Sequence, residues 1–272
     1  MPGQPDIESP RTGGAAPPPG PAVVGHLDAI GIDGERAPQL WRHAGLAAIV
    51  SIVSRDEWCG AAAEANLQEL AWVAPRSLRH EAVLEAATRS APVFPARFGS
   101  LFSSSAALGR LMERHHETIG GFLERVGRQQ EWAVKGILDR ARAEAELGAP
   151  HQAAVTGKAA LSPGLAYLFE QQSRRKAKED LEEKLAAACN SLLERLHPLA
   201  SEARSRPVLS GECAAAPEEM ISNWAFLVPP RAVAEFQQRV QQGNSDASLP
   251  GLTFAISGPW PPYSFCPPLS PE

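Results

Sequence analysis

"QEWAVKGIL", residues 130–138, sets the reading of this chain. Trp132 and Val134 alternate with their neighbours, and Ile137 resumes the run after Lys135–Gly136. Period-two spacing of aromatic and β-branched residues predicts a strand. Downstream, "PGLAYLFEQQSRRKAKEDLEEKLAAACNSLLERLHPLASEAR" predicts a long helix over about 164–203. Its Leu181, Leu185, Ala188, Leu192, Leu196 and Leu199 form a seam close to a heptad. "RPVLS" and "MISNWAFLVP" (220–229) predict two more strands. "PRAVAEFQQRVQQ" reads as a helix opened by proline and closed at Gly243, and "GLTFAIS" as a last strand. The order is β-α-β-β-α-β, the ferredoxin-like arrangement. It predicts that 130–138 and 220–228 are central neighbours, with two helices on one side closing a two-layer core.

The last strand leads into "GPWPPYSF", residues 258–265. Pro259, Pro261 and Pro262 forbid a helix and an interior strand, while Trp260, Tyr263 and Phe265 are costly to leave in water. The expectation is a stiff aromatic–proline flap that packs inward and blocks further strand addition. Trp132 and Trp260 are both expected to be core anchors.

Upstream, residues 1–21 are Pro, Gly and small polar residues with nothing to bury, and predict a disordered tail. "AVVGHLDAI" (22–30) and "GLAAIVSIV" (45–53) predict strands, the second central in a sheet. In "SRDEW" Ser54 and Glu57 have the spacing of a capping box, opening a helix that reaches Ala74. Pro75 then starts another, with Leu78, Val83, Leu84 and Ala87 on one face. "APVFPARFGSLF" (91–102) predicts a broken strand, and 104–127 a helix. The whole is an α+β protein: an N-terminal α/β domain over 22–128, a C-terminal ferredoxin-like domain with a long helix over 129–266, and a tail over 267–272.

The 272 residues carry 26 Lys and Arg against 31 Asp and Glu, a net charge of −5. That gives no general attraction to nucleic acid or to an anionic membrane surface, so neither is expected as a partner. The start lacks a basic and then apolar leader, no stretch is apolar enough to span a bilayer, and the four cysteines are sparse. These point to a soluble cytoplasmic chain.

Reactive chemistry is hard to assemble from the residues. Cys59, Cys189, Cys213 and Cys266 form no CxxC pair and have no metal-ligand neighbours. The adjacent His115 and His116, like His80 and Glu81, point about 100° apart on a helix and cannot share a metal. His197 suits a helix C-terminus. Asp28 and Asp33 suit turns. The charges of "SRRKAKEDLEEK" suit a solvated face with pairs such as Lys176–Asp180 and Lys178–Glu182. No nucleophile elbow, zinc-protease motif or P-loop occurs. No catalytic residue, cofactor site or metal site is expected, and the chain reads as a non-enzyme. A ferredoxin-like ligand sensor or enzyme is the alternative, since that fold hosts many functions.

Three motifs in order, "PVFPARFGSLF" (92–102), "EWAVKG" (131–136) and "GPWPPYSF" (258–265), resemble the gas vesicle protein GvpL/GvpF family. "PGLAYLFEQQ" (163–172) and "ISNWAFLVP" (221–229) are also similar to family segments. The resemblance implies an accessory or minor structural protein of gas vesicles, located at the vesicle within the cytoplasm and required for assembly. It implies binding to the hydrophobic major shell protein and to other gas vesicle accessory proteins, with no cofactor. The matching positions are Arg97, Phe98, Gly99 and Phe102, then Glu131, Trp132 and Lys135, and Asn223, which carry structural roles. In the last motif they are Gly258, Pro259, Trp260, Pro261, Pro262, Tyr263 and Phe265. A buried Arg97 would need a carboxylate, and Glu131 is a candidate partner.

Overall fold

A computed structural model describes residues 29–146, 163–208, 218–246 and 249–270. The expected disordered tail and most of the expected first strand lie outside them; the described end of that strand, Ala29–Ile30, is not strand. The chain divides into two compact units, the first ending at Arg79 and the second beginning at His80.

In the first unit, β1 (Gln39–His43) and β2 (Leu46–Val50) form an antiparallel hairpin. Ala44 and Gly45 turn it with φ of 47° and 78°, the two positive values that a tight two-residue hairpin requires. β1 was not expected, and β2 is not central: among the described residues it pairs only with β1. Its apolar run mimics a buried strand, but a hairpin uses just one of its edges.

Helices α1 (Arg55–Trp58) and α2 (Gly60–Gln68) follow. Ser54 stands at the N-cap of α1 but its side chain makes no capping bond, so the capping box is not formed. Helix α3 (Leu70–Ser90) runs straight through Pro75, where two helices were expected. Arg76 donates to the Trp72 carbonyl at 3.1 Å, and its guanidinium lies 4.1 Å from the Trp72 ring centre. Trp58 packs edge-on against Trp72, 4.8 Å between centroids. Asp33 is a turn residue as expected, accepting from the N–H groups of Glu35 and Arg36. Asp28 lies outside the described residues.

The second unit is built on a four-stranded antiparallel sheet. Its strands are β3 (Gln130–Asp139), β4 (Glu202–Ser205), β5 (Glu218–Val228) and β6 (Leu252–Trp260), in the spatial order β4-β5-β3-β6. The 130–138 and 220–228 segments are central neighbours, as their patterns predicted. Before the sheet come α4 (Ser105–Arg114) and α5 (His116–Val126), split at His115 where one helix was expected. The residues 140–146 form α6, and α7 (Pro163–Leu196) connects onward to β4. Pro198 ends α7 through a 3-10 turn, so the helix stops short of 203 and β4 begins before the expected "RPVLS". Helix α8 (Val233–Asp246) links β5 to β6 and passes through Gly243, its expected end. A Cβ on Gly243 would meet Leu192 at 2.9 Å, so the glycine serves close helix packing.

Each face of this sheet is covered. On one, Trp132, Val134 and Leu138 of β3 and Phe226 and Val228 of β5 meet Leu181, Leu185, Leu192 and Leu196 of α7. Phe236 and Val240 of α8 complete it. The expected α7 seam is therefore the core seam, while in β3 Leu138 takes the core place given to Ile137. On the other face Ala225 and Leu227 of β5 meet Phe122 and Val126 of α5 and Phe265. With both its faces buried, β5 reads "AFLV" without alternation. At Gly136 a Cβ would lie 2.4 Å from Ser222 Oγ, which instead accepts the Gly136 N–H at 3.0 Å.

The segment 91–102 is not a strand. Its chain turns at Arg97–Ser100, where Gly99 has φ 81° and the Arg97 carbonyl accepts the Ser100 N–H at 3.1 Å. Pro92 and Pro95 deny it the ladder donors that a strand needs.

Candidate functional site

The C-terminal flap begins in the last three residues of β6, Gly258–Trp260. Gly258 has φ 139°, and a Cβ there would meet the Glu131 carbonyl at 2.9 Å and the Trp132 ring at 3.1 Å. Only glycine lets the two chains approach so closely. The Gly258–Pro259 peptide is cis, and Trp260 stands opposite Glu131 at the end of β6. Pro261 and Pro262 are buried and lead into a 3-10 turn, Tyr263–Phe265. The Phe265 ring is fully buried among Phe122, Val126, Ala225 and Leu227. Burying such a ring stabilises by roughly 2–3 kcal/mol.

Polar groups fix the backbone of this turn. Glu131 is 2% exposed and accepts from the Ser264 N–H at 2.9 Å and from Ser264 Oγ at 2.6 Å. Arg204 Nη1 donates to the Ser264 carbonyl at 2.7 Å, and Arg125 Nη2 to the Phe265 carbonyl at 3.1 Å. Arg125 is in turn paired with Glu202. The Arg204 guanidinium lies 5.2 Å from the Phe265 ring centre. Tyr263 donates to Glu81 Oε1 at 3.0 Å, with His80 Nε2 3.3 Å from the same hydroxyl. One buried carboxylate and two guanidiniums thus satisfy donors and acceptors that a buried turn would otherwise leave open.

The same burial sets the titration of the site. Burial pushes the Glu131 carboxyl above its ordinary value, opposed by the two Ser264 bonds and by the charges of Arg206 and Arg204. Burial and then the Glu81 charge raise the Tyr263 phenol. Burial pushes the Cys266 thiol up to about 12, with the Glu131 charge adding to it, so it is held protonated and is no nucleophile at neutral pH. Among the described residues no group of three His, Cys, Asp or Glu side chains is placed to hold a metal. What the arrangement does is hold a stiff, aromatic loop in one conformation.

The sequence motifs are only partly brought together here. Glu131, Trp132 and the 258–265 segment meet in the clamp. Arg97 does not join Glu131: its side chain is exposed, and Ser264 takes the carboxylate instead. Burial of Glu131 selects a partner already inside the fold. Phe98 packs edge-on against His80 at 5.9 Å, Gly99 serves the turn, and Phe102 is 43% exposed. Lys135 stands in register with Asn223 across the central pair of strands. Asn223 is buried and donates to the Pro207 carbonyl at 3.1 Å. Trp132 is buried in the first core, whereas Trp260 is 39% exposed and is not a core anchor; Phe265 takes that part. Sequence reasoning missed Arg125, Arg204 and Glu81, which lie 140, 60 and 182 positions from their flap partners. It also missed Ser264, which did have a signal, since it sits inside the aromatic–proline motif.

The sequence model of the family described as gas vesicle synthesis protein GvpL/GvpF matches residues 10–267. The chain belongs to this family. A relative described as gas vesicle protein L, from Streptomyces sp. (strain CB03234), is 27% identical over 237 residues, covering 87% of this chain and 85% of its own. The crystal structure of gas vesicle protein GvpF from Anabaena sp. PCC7120 superimposes with a TM-score of 0.64 at 20% identity, over 88% of this chain and 91% of that one. GvpF from Microcystis aeruginosa gives 0.58 at 18% identity, with the same coverage. At these identities the structures speak for a shared mixed α/β fold, and the family match carries the connection to gas vesicles.

Proposed function

We propose that this chain is an accessory protein required for gas vesicle assembly, which binds the apolar major shell protein and other gas vesicle proteins and stays with the vesicle inside the cytoplasm. The observation that carries the reading is the GvpL/GvpF family match over residues 10–267. The protein works by binding and not by catalysis: the carboxylate, hydroxyl and guanidinium groups around the flap are committed to holding it. Residues 129–266 make up a ferredoxin-like domain, and the strand order β4-β5-β3-β6 with helical connections supports that assignment. The residues from 22 to 128 make up the N-terminal α/β domain, whose part from His80 onward belongs to the second compact unit.

A shell subunit exposes apolar surface before it polymerises, and a partner that covers this surface keeps it competent for assembly. Helix α7 is suited to the task. Its 34 residues span about 51 Å, yet its buried seam begins only at Leu181. The earlier turns carry Leu165, Tyr167 and Leu168, all exposed. The free edge of β6 is less suited, because Asn244 already occupies both the N–H and the carbonyl of Phe254, at 2.6 and 3.0 Å.

In a gas-vesicle-forming host, deleting the gene should abolish or deform the vesicles, and normal vesicles would sink the reading. The full chain should co-purify with the major shell subunit. A Leu165→Glu, Leu168→Glu variant should lose that association while keeping its melting temperature, since neither side chain is part of the core.

A further inference from the structure

Beside the flap lies an open groove of about 660 Å³, within the second unit. Its walls are the end of α3, the loop from α5 into β3, and the segment Gly258–Pro262. Pro92, Pro230, Pro259, Pro261 and Pro262 all line it, so much of its wall has no backbone N–H to offer. The prolines disfavour strand addition as the way to fill it, and recognition falls to side chains. Trp260 supplies the largest of these. Its indole N–H donates to Ser257 Oγ at 3.2 Å, which orients the ring, and the residue as a whole is 39% exposed on the groove.

The charges of the lining are unbalanced. Arg89 and Arg128 are exposed there, and neither guanidinium makes a hydrogen bond or ion pair among the described residues. Glu85 is the one carboxylate on the same lining. The chain as a whole carries a net charge of −5, so two unpaired cations beside a rigid indole are a local reversal of its charge. Guanidinium selects carboxylate by paired, charge-assisted bonds, and an indole face flanked by proline rings selects proline or aliphatic side chains.

We propose that this groove binds an extended acidic segment of a partner protein, in which carboxylates flank a proline or aliphatic residue. Arg89 and Arg128 receive the carboxylates, and Trp260 with Pro259 and Pro261 receives the apolar residue between them. The assignment is independent of which protein binds helix α7, and its success or failure leaves that reading untouched.

The test uses the full chain and a short fluorescein-labelled peptide of Glu-Leu-Pro repeats, followed by fluorescence anisotropy. Saturable binding that weakens as salt is raised is expected, with a Lys-Leu-Pro peptide binding at least about tenfold more weakly. Arg89→Glu with Arg128→Glu should cut affinity for the acidic peptide about tenfold or more, and Trp260→Ala by a similar factor. Circular dichroism and melting should show these exposed-site variants folded. Equal binding of the acidic and basic peptides overturns the proposal, as does no saturation by the acidic peptide. Variants that melt lower but bind unchanged would also overturn it, because the arginines would then serve only the helix C-termini. A concentration-dependent dimer that Arg128→Glu disrupts, without peptide binding, would make the groove a self-contact and equally end the proposal.

Discussion

The two faces of the four-stranded sheet are closed in different ways. Against one lie α7 and α8, with leucine and phenylalanine side chains at helical spacing and hardly a polar atom between them. Against the other lie α5 and the flap, where the turn that carries Phe265 is held by two carboxylates, Glu131 on Ser264 and Glu81 on the Tyr263 hydroxyl, and by the guanidiniums of Arg204 and Arg125. Regular helices hide their own backbone polar groups, so the first face needs only apolar side chains. Beyond Trp260, where β6 ends, the flap has no such ladder: of residues 261–265 two are proline and one is serine. Its backbone must be satisfied from outside, and the charged residues on the second face do that.

The largest effect should come from the first face. Phe226 is fully buried and packs edge-on against Phe236 at 5.2 Å, so Phe226→Ala should cost about 3–5 kcal/mol in denaturant unfolding. Phe265→Ala should cost about 3 kcal/mol, at the lower end of the same range, because a terminal flap relaxes into the space more readily than two helices do. An equal or greater loss at Phe265 would mean that the flap is as integral to the fold as α7.

Next comes the polar clamp. Glu131→Ala leaves both Ser264 donors without their acceptor and should cost about 1–3 kcal/mol. Glu131→Gln keeps an oxygen for the N–H and an NH₂ for Oγ, and should cost under about 1 kcal/mol. The pair should also separate by pH. Burial raises the folded Glu131 carboxyl above its ordinary value of 4.5. Its favourable contribution is then complete below that value and is lost as pH climbs through the raised one. The stability of the native chain relative to Glu131→Gln should therefore be greatest in acid and decline toward neutral pH. A difference that grew with pH would show that Arg204 and Arg206 outweigh burial. Smallest of all, Trp260→Ala should change the melting free energy by less than about 1 kcal/mol, since the ring is well exposed.

How much of this was legible follows the same division. The seam from Leu181 to Leu196 was readable from its period, the central pairing of 130–138 with 220–228 from the order of strands and helices, and the inward turn of the flap from its prolines and aromatics. The hairpin at 39–50 was missed: its turn is His43-Ala44-Gly45-Leu46, where Ala44 takes a conformation that alanine rarely signals. The segment 91–102 looked apolar enough for a strand, but its aromatic residues serve packing, with Phe94 edge-on to Phe122 at 5.0 Å. Pairing Arg97 with Glu131 failed because sequence gives charge but not distance.

Hydrophobic spacing along the chain determined α7, α8 and the strands β3, β5 and β6, and proline with glycine determined where the flap turns, since both depend on neighbours a few residues apart. Which aromatic the flap buries, and which distant arginines hold its carbonyls, was decided by folding. Those choices depend on space left between elements that the chain brings together from far apart, and a buried charge takes whichever partner the packing puts within reach.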